Sequence, residues 1–148
     1  VVLSRSKTPG ILASKLYAEG QYHSYMGVYG GGTANPTTVE SIEKKENLLN
    51  FAKKIPLETN TTHWPRLTRI LLDRVQAEPK DVKKYFITQI NIGLINQTMD
   101  SLGVDRDKSH NVMDQFGYTG SACIPMALAD AQKKKLLNTK KLNFQPVN

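Results

Sequence analysis

One cysteine, Cys123, is all that a chain of 148 residues contains, so no disulfide can close within it. Its three histidines, His23, His63 and His110, form no spaced pair with one another or with the cysteine, which argues against a zinc site. No apolar run approaches the roughly 20 residues that a bilayer span requires, so no membrane partner is expected. Aromatic residues are scarce, at 7%. None is interleaved with the lysines at 133–135 and 140–141, so the stacking surface that binds single-stranded nucleic acid is missing. Acidic residues are outnumbered 13 to 20, a net charge of +7. With no nucleic-acid motif beside it, that excess reads as a solvated basic surface, and nucleic acid is not expected as a partner. The opening residues VVLSRSKTPG have too short an apolar part for a signal peptide. They read as the end of a strand, as though the chain began mid-domain. The expected location is cytoplasmic, and the N-glycosylation patterns at Asn60 and Asn96 are read as chance.

Local pattern implies an α/β protein. Residues 10–20, bounded by glycines, suggest a strand. The segment 28–38, with three successive glycines and a proline, is a loop, and no Gly-Lys-Ser/Thr follows to make it a phosphate-binding loop. Residues 46–56 suggest a short helix stopped by Pro56. Trp64, Leu67, Ile70, Leu71 and Val75 fall on one face of a helix over 64–79, with Thr62 as its cap and Pro65 in its first turn. Residues 85–89 read as a buried strand. Ile92, Ile95, Met99 and Leu102 share a face of a helix over 90–103, stopped by Gly103. Residues 110–117 suggest a short strand and turn. Residues 119–137 form a further helix, whose small residues permit close approach to its neighbours. This order implies a mixed sheet covered by helices.

Chemistry-bearing patterns are few. The stretch starting at Asp105 imitates a calcium loop for five positions, then carries His110 where glycine is required and Phe116 where the bidentate glutamate belongs. Cys123 stands near a helix start, which favours thiolate, but no histidine lies nearby in the sequence to act as base. It is read as a packing residue.

Two segments together carry a resemblance. FITQINIGLI (86–95) and GYTGSACIPMALADA (117–131) resemble the C-terminal half of ketoacyl synthase III, that is 3-oxoacyl-[acyl-carrier-protein] synthase III, a condensing enzyme of the thiolase superfamily. The family patterns are His-Gln-Ala-Asn-x-Arg-Ile and Gly-Asn-Thr-Ser-Ala-Ala-Ser-Ile-Pro-x-Ala-Leu. Residues 9–20 resemble the strand opening that half, 101–120 keep the spacing between motifs, and the likeness runs from about residue 1 to 137. It implies that residues 1–148 are a C-terminal thiolase-like domain, half of a layered α-β-α protein, without the N-terminal half or the last strands.

In the family a cysteine of the N-terminal half takes the acyl group as a thioester, and a histidine and an asparagine of the C-terminal half stabilise the enolate as carbon dioxide leaves. Thr88 stands at the histidine position and Tyr118 at the asparagine position; the docking arginine is Gly93. Gln89, Asn91, Gly117, Thr119, Ile124 and Pro125 match the patterns, and Cys123 stands where serine is usual. The resemblance implies Thr88 and Tyr118 as catalytic residues, Ile90 and Asn91 as positions along the pantetheine channel, acyl-CoA as substrate with no cofactor or metal, acyl carrier protein as a partner, and a homodimer. This chain alone is expected to be inactive. Two alternatives accompany that reading: acyl transfer without decarboxylation to another nucleophile, and a non-catalytic thiolase-fold partner subunit.

Overall fold

The computed structural model describes residues 5–7, 9–56 and 58–137. Two compact units divide the chain, one of residues 15–59 and the other of residues 1–14 and 60–148.

In the smaller unit, strands β1 (Met26–Gly27) and β2 (Asn50–Phe51) pair antiparallel, Met26 opposite Phe51 and Gly27 opposite Asn50. Helix α1 (Val39–Glu43) lies between them in sequence. Its Thr38 cap accepts from the Ser41 amide at 3.1 Å while the Ser41 hydroxyl accepts from the Thr38 amide at 2.8 Å, a reciprocal box that holds so short a helix. The Gly30 amide donates to the Glu46 carbonyl at 2.9 Å. A Cβ at Gly30 would stand 3.2 Å from the Glu46 Cβ, so the close approach favours glycine. The helix expected over 46–56 is therefore replaced by a turn and β2. Leu48, Leu49 and Phe51 are all exposed, and a short helix with no apolar face to bury lacks its main support.

The larger unit is built on helices α2 (Glu58–Arg74), α3 (Ile92–Leu102), α4 (Met113–Phe116) and α5 (Cys123–Lys133). Helix α2 begins before the expected start, which places Thr62 inside it and Pro65 in its interior. A proline there forgoes one intrahelical bond and can cost about 3 kcal/mol; Pro65 is itself buried. Helix α2 also ends at Arg74, short of Pro79. Helix α3 follows the sequence closely. Asn91 caps it, its Oδ1 accepting from the Gly93 and Leu94 amides at 2.8 and 3.3 Å, and Gly103 ends it in the left-handed conformation, φ 68°. Along the expected face Ile95, Met99 and Leu102 are buried, while Ile92 is 46% exposed.

Tyr85, Met99 and Leu102 form the apolar centre, flanked by Val82, Ile87 and Val104. The small residues Cys123, Ala127 and Ala131 make a buried stripe along α5. Residues 85–89 run through this region without a ladder: Tyr85 makes a single parallel bridge to Ser109, its amide donating to the Lys108 carbonyl at 2.8 Å and its carbonyl accepting from the His110 amide at 3.0 Å. Residues 10–20 likewise pair with no strand among the described residues and are mostly exposed. An extended segment becomes a strand only when neighbouring backbone takes its N–H and C=O groups. Residues 113–116 form α4 where a strand and turn were expected, because the Phe116 and Gly117 amides turn back onto the Val112 and Met113 carbonyls. The result is a helix-rich α/β arrangement with a small sheet.

Candidate functional site

The two motif segments meet at the start of α5. Thr88 is half-buried, and its Oγ1 lies 3.5 Å from the Cys123 Sγ. The Gln89 amide donates to the same sulfur at 3.4 Å. The Gln89 side chain, with 0% exposure, accepts through Oε1 from the Val112 amide at 3.0 Å and donates through Nε2 to the Cys123 carbonyl at 3.5 Å. A buried carboxamide must be satisfied at both ends, and these partners are supplied by the segment preceding α4 and by the first turn of α5.

Tyr118 is placed by a different device. Gly117 follows α4 with φ 64° and ψ −155°, a conformation open to glycine, and the chain then passes through Tyr118 and Thr119 into a tight turn, Gly120–Ala122. The Thr119 hydroxyl donates to the Met126 Sδ at 3.5 Å, tying the turn to α5. The Tyr118 side chain is 52% exposed. Thr88 and Tyr118 thus belong to two segments that both attach to the beginning of α5, one a hydroxyl on a sulfur, the other a phenol open to solvent. Each can donate one hydrogen bond.

The remaining expected site residues divide. Ile90 is exposed, at the turn between the 85–89 segment and α3. Asn91 is exposed as well, but its Oδ1 is committed to the α3 cap, which leaves the Nδ2 as the polar group of its side chain outside the cap. Cys123 is 2% exposed. Its thiol is surrounded by Thr88 and the Gln89 amide, and the described contacts bring no base to it, which agrees with a packing residue.

One cluster near these segments escaped the sequence reading. The His110 Nε2 lies 2.8 Å from the Asp130 Oδ2, and the Lys134 Nζ lies 2.9 Å from the same oxygen. The Phe86 ring meets the imidazole edge-on at 6.2 Å between centroids. Asp130 is held below the usual carboxylate range, first by the hydrogen bond from Lys134 and then by that from His110. A sequence search for paired histidines and cysteines passes over an aspartate 20 residues from its histidine; the available signal was the Asp130–Lys134 spacing of i, i+4 on a helix. Among the described residues no three His, Cys, Asp or Glu side chains gather as a metal site.

Comparison with known proteins places these segments. Residues 72–144 match the family described as 3-oxoacyl-[acyl-carrier-protein (ACP)] synthase III C terminal. A β-ketoacyl-[acyl-carrier-protein] synthase III of Chlorobium phaeobacteroides is 27% identical over 131 residues, covering 88% of this chain and 40% of that protein. One from Alkalilimnicola ehrlichii is 31% identical, again with coverage of 88% and 40%. The chain therefore spans about two fifths of the length of the curated relatives it matches. The crystal structure of 3-oxoacyl-(acyl carrier protein) synthase III from Pseudomonas aeruginosa superposes with a TM-score of 0.72 at 19% identity, over 92% of this chain and 41% of that one. The Aquifex aeolicus structure superposes at 0.68 and 21% identity. Those structural likenesses establish a shared thiolase-like fold. In sequence and in fold, this chain corresponds to the C-terminal half of a 3-oxoacyl-[acyl-carrier-protein] synthase III-like protein.

Proposed function

We propose that the protein to which this chain contributes is an acyltransferase of the 3-oxoacyl-[acyl-carrier-protein] synthase III type, acting in fatty acid or related biosynthesis. It takes an acyl group from acyl-CoA as a cysteine thioester and condenses it with a malonyl thioester on acyl carrier protein. The nucleophile belongs to the other half, so the 148 residues alone are inactive; the whole acts as a cytoplasmic homodimer and needs no cofactor. The observation that carries this reading is the match over 88% of the chain to such synthases, with both motif segments joined at the start of α5. In this reading Thr88 and Tyr118 polarise the carbonyl of the second substrate, and Ile90 and Asn91 border the pantetheine arm.

A second reading has its own support. Neither a threonine hydroxyl that shares a sulfur partner at 3.5 Å nor an exposed phenol supplies the imidazole and carboxamide that stabilise an enolate in the family. Acyl transfer to an oxygen or nitrogen nucleophile, without decarboxylation, demands less of the pair. Intact-mass spectrometry of the complete protein after incubation with a panel of acyl-CoAs tests the shared loading step. An acyl adduct on a cysteine outside this chain is expected. Release of carbon dioxide from a malonyl thioester then separates condensation from simple transfer. The absence of an adduct with every donor, in folded protein, points to a non-catalytic subunit.

A further inference from the structure

We propose that Gln89 is the positioning residue of this site: one buried carboxamide fixes both Thr88 and the segment that carries Tyr118. The inference rests on the roles assigned to Thr88 and Tyr118 above. A glutamine offers an acceptor oxygen and a donor NH2, and at Gln89 the partners decide which faces which way. The Val112 amide can only donate, so Oε1 must face it, and the Cys123 carbonyl can only accept, so Nε2 must face that. Val112 is the N-cap of α4, and α4 ends at Phe116, with its C-cap Gly117 next to Tyr118. Cys123 is the first residue of α5. The side chain thus couples α4, and through it Tyr118, to α5.

The backbone of the same residue completes the arrangement. The Gln89 N–H donates to the Cys123 Sγ at 3.4 Å, and the Thr88 Oγ1 lies 3.5 Å from that sulfur. Either group can donate in the Thr88–Cys123 contact; where the S–H donates, the Thr88 O–H is left to donate elsewhere. Gln89 touches no substrate in this scheme. It acts through Thr88 and Tyr118, whose separation a displacement of either segment would change, and a misplacement of about 1 Å can cost about 100-fold in rate.

The test uses the complete protein with Gln89→Met and Gln89→Glu. Three quantities are read: hydrogen exchange at the Val112 amide, acyl loading from acyl-CoA, and kcat and KM for transfer to the second substrate. Gln89→Met keeps the shape and loses both side-chain bonds. Its Val112 amide is expected to exchange faster, its loading to persist, and its transfer kcat to fall about 100-fold with KM little changed. Gln89→Glu, when protonated, can reproduce both bonds; burial raises the pKa of a carboxyl. Its kcat should approach wild type at low pH and fall as the carboxyl ionises, a step absent from wild type, while circular dichroism shows the variant folded throughout. Normal transfer by Gln89→Met, or a Gln89→Glu profile parallel to wild type, overturns this inference alone. Loading and transfer lost together in Gln89→Met, with no low-pH recovery in Gln89→Glu, reduce Gln89 to a folding residue and also overturn it. Failure of the wild type to load any acyl group overturns the synthase reading and this inference with it.

Discussion

A thiol at a helix start and an asparagine at a motif position both invite chemical roles, and burial and bonding decide between those roles and structural ones. Cys123 is 2% exposed, and a thiol reagent reaches only an accessible sulfur. Under native conditions the described chain should resist an aromatic disulfide reagent, and after denaturation it should release one equivalent, since it holds one cysteine. Rapid native labelling would contradict the packing role. Asn91 has its Oδ1 on two amides of α3. Asn91→Ala should cost about 1 kcal/mol, whereas Asn91→Asp retains the cap; urea titration of both variants measures the difference. Equal stability of the alanine variant and wild type would show that the cap contributes nothing.

At the scale of elements, α3 offers two apolar residues from the expected face in different surroundings. Met99 is fully buried and Ile92 is 46% exposed. Met99→Ala should destabilise by about 2–5 kcal/mol, and Ile92→Ala should change stability by only about 0.5 kcal/mol; thermal or urea unfolding separates them. Helix α5 carries a pH-dependent tie to the 104–112 segment through His110, Asp130 and Lys134. The Asp130 pKa is lowered in the folded chain. Its contribution is therefore fully present above the unfolded carboxylate pKa of about 3.9 and is lost as pH falls through the folded value. Urea midpoints of wild type and Asp130→Asn should differ at neutral pH and converge on acidification. A difference that stays constant down to pH 3 would show that the tie does not depend on the Asp130 charge.

The whole molecule divides unevenly in its means of support. The apolar core of buried residues lies in the larger unit. In residues 15–59, by contrast, Gly30 and Ser41 are the buried residues among those described, and Leu16, Val39, Leu49 and Phe51 are exposed. Local stability follows buried apolar contact. Native-state hydrogen exchange should therefore open residues 15–59 at lower free energy than α3 or α5. Protection in 15–59 equal to that of α3 would contradict the assignment of the core to the larger unit.

What could be read without coordinates was local. The i, i+3, i+4 face and the Gly103 stop define α3 because each acts over one or two turns of the same helix. The small residues of 119–137 announced a close-packed helix, which the structure confines to Cys123–Lys133 after the tight turn Gly120–Ala122, and the motif residues around Gln89 and Gly117 were enough to reveal the relationship to the synthases. The extended segments 10–20 and 85–89 were a different matter. Their β-compatible residues describe a preference, but a strand exists only where other backbone takes its hydrogen bonds, and that partner lies far away in sequence. Distance in the chain likewise hid the ties from Gln89 to Val112 and Cys123, 23 and 34 residues on, and the pairing of His110 with Asp130. Sequence alone determined the helices that local spacing and caps can hold and the family to which their motifs point. Tertiary structure decided which hydroxyl meets the buried sulfur and which glutamine joins the two segments, because those outcomes depend on desolvation and on partners that only folding brings within hydrogen-bond reach.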